Sequence, residues 1–430
     1  MTVCVLGLGY IGLPTAAILA LAGHDVIGYD VDPAVLEALR GGARHIKEEP
    51  VRRLVTDALK GGKFRLAERL PDHADAWLIC VPTPNTDHRP DLSYVRAATD
   101  ALAPRLRARD LVILESTVPP GTMDRVVVKA LRDAGVDPDT VAIAHCPERV
   151  IPGAIVEELR GNARVIGGRK DGDAEAAREL YASFVQGPLF VTDNTTAELV
   201  KVVENTYRDV NIAFANELAL LAEELGVDAL ETIALANHHP RVNILSPGPG
   251  VGGHCIPIDP HFLSNANPFG TELIQTSRRI NERMPHVVVR RVAEFVPSPQ
   301  GARIAILGAA YKANVDDTRE SPTERVEELL RERGYSTTVF DPVASRYHGE
   351  LAASLDDAVR GCDAIVLMVG HDAFREIDPA AVAPLCRRAQ LVDTRAFFPP
   401  QRWLDAGFRV YQLGRKRAEP ARVSAAAAGA

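Results

Sequence analysis

The run VCVLGLGYIGLPTAA, residues 3–17, leaves little choice about how this chain begins. A short β-branched strand ends in Gly7, Gly9 and Gly12, spaced as G-x-G-x-x-G, and an apolar helical pattern follows at once. The first glycine permits a tight turn, the second lets backbone approach a pyrophosphate, and the third lets helix and strand pack closely. The helix N-terminus adds unpaired N–H groups and a partial positive charge. Asp30 closes the next strand pattern, where a carboxylate accepts hydrogen bonds from a ribose diol and repels a 2′-phosphate. NAD, rather than NADP, is therefore the expected cofactor, and hydride transfer the expected chemistry.

Further strand patterns at 25–30, 76–81, 111–116 and 141–146 alternate with helical ones, which predicts an α/β domain with a parallel sheet over 1–190. From Thr195 the texture changes. TTAELVKVVENTYRDVNIAFANELALLAEELG carries no proline and repeats its apolar residues at three and four, which predicts a helix roughly 45 Å long. Such a helix needs a partner surface, and its copy in a homodimer is the expected one. A second helix is predicted over VDALETIALANHH, and 191–297 is read as a small helical domain. A third region, 298–415, has strand patterns at 303–312, 337–342, 364–369 and 390–395 and reads as a second α/β lobe. The tail 416–430 is small-residue and charged, and disorder is expected there.

At 430 residues the chain exceeds what one core can serve. Its net charge of -8 argues against a general nucleic-acid binder, which would need clustered Lys and Arg. Six cysteines without a CxxC pair point to reduced thiols in the cytoplasm. No leader pattern and no apolar run of about 18 residues is present, so no membrane span is expected.

Most free cysteines are small buried hydrophobes, which suits Cys4, Cys80, Cys362 and Cys386. Cys255 sits differently, in GPGVGGHCIPIDP, 248–260, behind four glycines that permit close ligand approach and ahead of Asp259. A nucleophilic thiol beside NAD would serve aldehyde-level oxidation through a thiohemiacetal and a thioester. That chemistry needs donors for an oxyanion and groups to hold water. Lys201 and Asn205 lie four apart on the long helix, with Arg208 on the same face. On the residues alone, buried thiol against nucleophile, and solvated stripe against oxyanion site, both stay open. His254 adjoins Cys255, but chain neighbours seldom face one another, and a structural or substrate-contact role is preferred. His238 and His239 lack a second ligand pair, so no metal site is expected.

Seven motifs in order resemble the UDP-glucose/GDP-mannose dehydrogenase family: GLGYIGLP (7–14), VPTP (81–84), ESTVPPGT (115–122), PER (147–149), ELVKVVENTYRDVNIAFANE (198–217), GPGVGGHCIPIDP (248–260) and AYKANVDDTRESP (310–322). The resemblance implies two Rossmann-like lobes joined by a long helix that carries a dimer interface. It also implies two-step oxidation of a sugar-nucleotide C6 alcohol to a carboxylate with two NAD. Carried over, Cys255 is the nucleophile, Lys201 and Asn205 stabilise the oxyanion, Asp259 and Thr117 hold or activate water, and Glu148 is a carboxylate near that water. Gly7, Gly9, Tyr10, Ile11, Gly12, Asp30, Pro82, Thr83, Ser116, Thr117 and Arg319 would meet the cofactor. Arg149, Val150, Lys201, Asn205, Arg208, Asn211, Arg241, Asn243, Gly252, Lys312 and Asp317 would meet the sugar nucleotide, with Arg241 reaching a neighbouring subunit's substrate.

One departure stands out. Members acting on UDP-glucose carry a second glutamate where this chain has Pro152, so the base for thioester hydrolysis is Glu148 or, through a lowered pKa, Lys201. The runs CPERVIPG and LIQTSRRIN are most similar to the branch acting on UDP-N-acetylmannosamine, with the UDP-N-acetylglucosamine branch second. A UDP-N-acetylhexosamine is therefore the expected substrate. A single-step hydroxyacid dehydrogenase and an NAD-sensing protein are the readings from other classes.

Overall fold

The computed structural model describes residues 1–43, 46, 48–86, 89–151 and 153–415. Pro152 and the tail 416–430 lie outside them. The chain divides into two compact units, Met1–Asn205 with His261–Gly270, and Thr206–Pro260 with Thr271–Ala430.

The first unit is built on β1 (Thr2–Leu6), β2 (Asp25–Tyr29), β3 (Phe64–Ala67), β4 (Ala76–Ile79), a small hairpin of β5 (Asn85–Thr86) and β6 (Arg89–Pro90), then β7 (Leu111–Leu114), β8 (Ala142–His145), β9 (Arg164–Gly168) and β10 (Leu189–Asp193). Eight of these form one sheet in the order β10-β9-β8-β7-β4-β1-β2-β3. Neighbours are parallel except β8 against β9. Strands β4 and β7 are buried throughout, which is why AWLI and LVIL are unbroken apolar runs. Along β1, Val3 and Val5 enter one core cluster, while Cys4 and Leu6 enter another with Trp77 and Ile79. The strand order reverses at β1, so the carboxyl ends of β1 and β4 flank the switch point at which such sheets bind ligands.

Directly after β10 comes the long helix Asn194–Leu225, 32 residues, or about 48 Å at the α-helical rise. Its first part belongs to the first unit and its remainder to the second.

The second unit carries β11 (Arg303–Leu307), β12 (Ser336–Phe340), β13 (Ala364–Leu367), β14 (Gln390–Asp393) and β15 (Arg409–Gln412), all parallel in the order β12-β11-β13-β14-β15. The helix expected over VDALETIALANHH is shorter, Ala229–Ala236. Asp228 caps it by accepting from the amides of Leu230 and Glu231, and Pro240 disfavours helical backbone before it. The two sheets share one device at the switch point. Asp30 Oδ2 accepts from Leu8 N at 2.7 Å in the first, and Asp341 Oδ2 accepts from Ala309 N at 2.7 Å in the second.

Candidate active site

The turn after β1 is shaped by contacts that admit only glycine. Gly7 has φ +93°, and a Cβ there would lie 2.6 Å from the Cys80 carbonyl oxygen. At Gly12 a Cβ would fall 2.0 Å from the Gly7 carbonyl oxygen. Gly9 is the opposite case: a Cβ would meet nothing within 4 Å, so open space faces the loop beside the helix Gly12–Leu21. That is the room a pyrophosphate needs, and the residues present fit NAD. Asp30 steadies the turn through Leu8 and accepts from Asp32 N at 3.0 Å through its other oxygen. Tyr10 donates its hydroxyl to Glu48 Oε1 at 2.6 Å, and Ile11 occupies the N-cap position of the helix.

The loops leaving β4 and β7 are fastened to each other. Thr83 Oγ1 donates to Thr117 O at 2.8 Å, and Ser116 Oγ donates to Val81 O at 2.7 Å. Beneath them Glu115 is buried, accepting from Cys80 Sγ at 3.2 Å and Tyr181 OH at 2.6 Å. Burial, reinforced by the Glu115 charge, pushes the Cys80 thiol well up. Cys80 is thus an inert packing thiol, as its apolar run predicts.

Glu148 is buried, and desolvation raises its carboxyl, opposed by Arg164, the Val150 amide and Lys201. Arg149 does not stand free for a ligand: its guanidinium forks onto Glu204 of the long helix and also donates to Ala163 O at 3.0 Å. One turn before Lys201, Glu198 accepts from the amides of Gly121 and Met123, the latter at 2.7 Å, and so holds the loop that follows Thr117. Burial pushes its carboxyl up to about 7. Sequence reasoning missed Glu198 and Glu115, because nothing local marks a helix or strand glutamate as a loop anchor.

In the second unit the Cys255 loop lies on residues of the C-terminal lobe. Cys255 alone of the six cysteines is exposed. A Cβ at Gly252 would meet Glu320 O at 2.6 Å, and one at Gly253 would meet the Tyr311 ring at 2.9 Å. The His254 ring stands edge-on to Tyr311 with centroids 6.4 Å apart, and Arg319 Nη2 lies 3.5 Å from His254 Nε2. Arg319 is itself held by Asp317, through Nε to Oδ1 at 2.9 Å and Nη2 to Oδ2 at 2.6 Å. Cys255 is close enough for its charge to act on both Tyr311 and Arg319. Lys312 follows Tyr311 and is exposed. Asn211 commits both ends of its amide to loop backbone, donating to Asn243 O at 2.7 Å and accepting from Leu245 N at 2.9 Å. Arg208 and Arg241 are exposed, Arg241 beside His239.

Arg395 was also missed. It follows β14, donates Nε to Met368 O at 3.0 Å, and its guanidinium fills the space a side chain on Gly248 would need. A basic residue just past a strand's carboxyl end was the available signal. Of the expected catalytic residues, Thr117, Glu148, Lys201 and Asn205 belong to the first unit, Cys255 and Asp259 to the second.

A parallel sheet with this glycine cradle and acidic strand end defines a dinucleotide-dependent α/β oxidoreductase. Three family models match along the chain: the NAD binding domain of the UDP-glucose/GDP-mannose dehydrogenase family over residues 1–185, its central domain over 195–283 and its UDP binding domain over 305–400. The chain is 43% identical over 419 residues to a UDP-N-acetyl-D-mannosamine dehydrogenase of Methanocaldococcus jannaschii, covering 96% of each. It is 42% identical over 416 residues to an NDP-N-acetyl-D-galactosaminuronic acid dehydrogenase of Ralstonia nicotianae, covering 93% of this chain and 97% of the relative. The solved UDP-D-ManNAc dehydrogenase of Pyrococcus horikoshii superposes with a TM-score of 0.92 at 41% identity, over 97% of this chain and 100% of the other. The chain belongs to the UDP-glucose/GDP-mannose dehydrogenase family and is an NAD-dependent UDP-sugar dehydrogenase.

Proposed function

We propose that the chain oxidises the C6 alcohol of a UDP-N-acetylhexosamine, UDP-N-acetyl-D-mannosamine foremost, to the carboxylate. One sugar, one water and two NAD⁺ yield one carboxylate, two NADH and three protons. The setting of Cys255 carries the reading: it is the exposed thiol on a glycine loop, whereas Cys4, Cys80 and Cys146 are raised by burial, Cys4 and Cys146 to about 12. Relatives named for UDP-N-acetyl-D-mannosamine support the sugar.

Bound NAD supplies the hydride acceptor for each oxidation. At the aldehyde level Cys255 Sγ bonds to C6 and the carbonyl oxygen takes a proton, giving a thiohemiacetal. Loss of hydride from that carbon, with release of the hydroxyl proton to solvent, leaves a thioester, to which water adds. The C–S bond then breaks and the thiol recovers its proton. Lys201 and Asn205 donate to the oxygen that bears charge in each tetrahedral species. Asp259 and Thr117 hold the water, and Glu148 takes its proton; burial raises Glu148 toward the range in which a base works best near neutrality.

A homodimer through the long helix and a cytoplasmic location belong to the same proposal. A groove of about 830 Å³ is lined by Phe214, Leu218 and Leu221 together with Glu217, Glu224, Arg283 and Arg290. Phe214 and Leu221 are each half exposed, and a two-fold interface requires one face to offer apolar residues together with both charge signs, as this face does. Among the described residues no helix is long and apolar enough to cross a membrane.

The test is NADH formation and product mass with UDP-N-acetylmannosamine, UDP-N-acetylglucosamine, UDP-N-acetylgalactosamine, UDP-glucose and GDP-mannose. Preferred turnover of the manno sugar is expected. Turnover of UDP-glucose alone would refute the sugar while leaving the chemistry.

A further inference from the structure

The stretch LIQTSRRIN, 273–281, takes no part in the chemistry above, yet Arg278 and Asn281 are buried. Both reach Asp209 on the long helix. Arg278 Nη1 donates to Asp209 Oδ1 at 2.6 Å, and Asn281 Nδ2 donates to the same oxygen at 2.8 Å and to Asp209 O at 2.9 Å. Asn281 Oδ1 accepts from Asn216 Nδ2 at 3.0 Å, and Asn216 Oδ1 accepts from Gly248 N at 2.8 Å. Every donor in the chain from Gly248 through Asn216 and Asn281 points toward the Asp209 carboxylate, so each bond polarises the next.

This arrangement is a poor way to obtain stability alone. Asp209 and Asn216 are fully buried, and Asp209 Oδ2 and Arg278 Nε are buried without a hydrogen-bond partner among the described residues. Well-packed apolar residues commonly do as well as a buried ion pair. The loop at the other end has a different need. Gly248, Gly250, Gly252 and Gly253 bring no side chains, so backbone hydrogen bonds and the closeness of neighbours must set its place. Arg395 closes over Gly248, and the Asn216 bond fixes its amide.

We propose that Asp209, Asn281 and Asn216 are positioning residues: their relay fixes the Gly248 end of the Cys255 loop and thereby the thiol for attack. The proposal rests on the reading of Cys255 as nucleophile.

The test uses the full chain with NAD and UDP-N-acetyl-D-mannosamine, reading kcat, KM, the urea midpoint and amide hydrogen exchange. Asn216→Ala is expected to lower kcat roughly 10- to 100-fold with KM within about threefold. Its amides over 248–260 should exchange faster while those of the β11–β15 sheet do not. Asp209→Asn keeps an acceptor for Asn281 and should hold kcat within about threefold of the parent, although removing the charge beside Arg278 lowers its urea midpoint; Asp209→Ala should lose kcat. A purely structural role makes kcat follow the midpoint instead, and that result overturns the proposal. So does unchanged exchange over 248–260, or unchanged kcat, in Asn216→Ala. If that variant does not fold, Asn281→Ala, which removes the partner orienting Asn216, is read by the same criteria. Acid formation by Cys255→Ala would sink the nucleophile reading separately, because the exchange data report on the relay without reference to turnover.

Discussion

The ring of Tyr311 occupies the space in which a side chain on Gly253 would lie, with ring carbons 2.9 Å from an ideal Cβ there. Gly253 also has φ +88°, a conformation side chains resist. Gly253→Ala therefore meets a steric and a conformational penalty together, about 1–3 kcal/mol each. The loop carrying Cys255 would shift to relieve them. A fall in kcat of at least roughly tenfold is expected, measured as NADH formation at saturating sugar; parent-like kcat would show that the loop tolerates displacement.

Gly12→Ala tests the cofactor cradle. Its Cβ would fall 2.0 Å from the Gly7 carbonyl oxygen, an impossible approach that no side-chain movement can relieve. The turn must open, and NAD affinity measured by calorimetry should fall by more than roughly tenfold. Gly9→Ala is gentler to the fold, since nothing lies near its Cβ, but it should still obstruct NAD.

Two buried groups make opposite contributions to the pH dependence of stability. Glu198 titrates at about 7 instead of 4.5, chiefly through burial. Its contribution is fully present below about pH 4.5 and is lost as pH rises through 7, about 3 kcal/mol in all. His145 is lowered by burial from 6.5 to about 3. Its contribution is lost as pH falls from about 6.5 toward 3. Between pH 4.5 and 6.5 the two slopes nearly cancel, so the parent should look flat there with respect to this pair. Urea midpoints of Glu198→Gln against the parent should converge with one sign as pH rises from 4.5 to 7.5, the variant gaining relative stability. A difference independent of pH would contradict the titration.

Leu221→Glu replaces one of the half-exposed apolar residues of the groove along the long helix with a charge. Sedimentation should show a dimer for the parent and a monomer for the variant. A parent that sediments as a monomer would remove the dimer from the account.

What could be read in the sequence follows from how strands and sites are made. Strands β1, β4 and β7 announce themselves because burial on both faces demands unbroken apolar runs. Strands β3, β10 and β15 escaped notice. FRLA, LFVTD and RVYQ lie at sheet edges, where half-exposed positions accept Arg, Thr and Asp. RVIGG of β9 ends in two glycines, which weaken a strand pattern. Gly7, Gly9 and Gly12 were legible because their local spacing builds the turn, and Cys255 stood apart from the other cysteines by its glycine-rich setting, which the structure leaves exposed. Asn216, Asn281, Glu198 and Arg395 were not, since each acts on a partner far along the chain that only the fold brings near.

The reaction balance tests the central claim most directly: NADH counted against UDP-N-acetyl-D-mannosamine consumed, with the product identified by mass, for the parent and for Cys255→Ala. Two NADH per sugar and a product that has gained one oxygen and lost two hydrogens are expected, with no such acid from the variant. One NADH per sugar with an aldehyde product, or undiminished acid formation by Cys255→Ala, would contradict it.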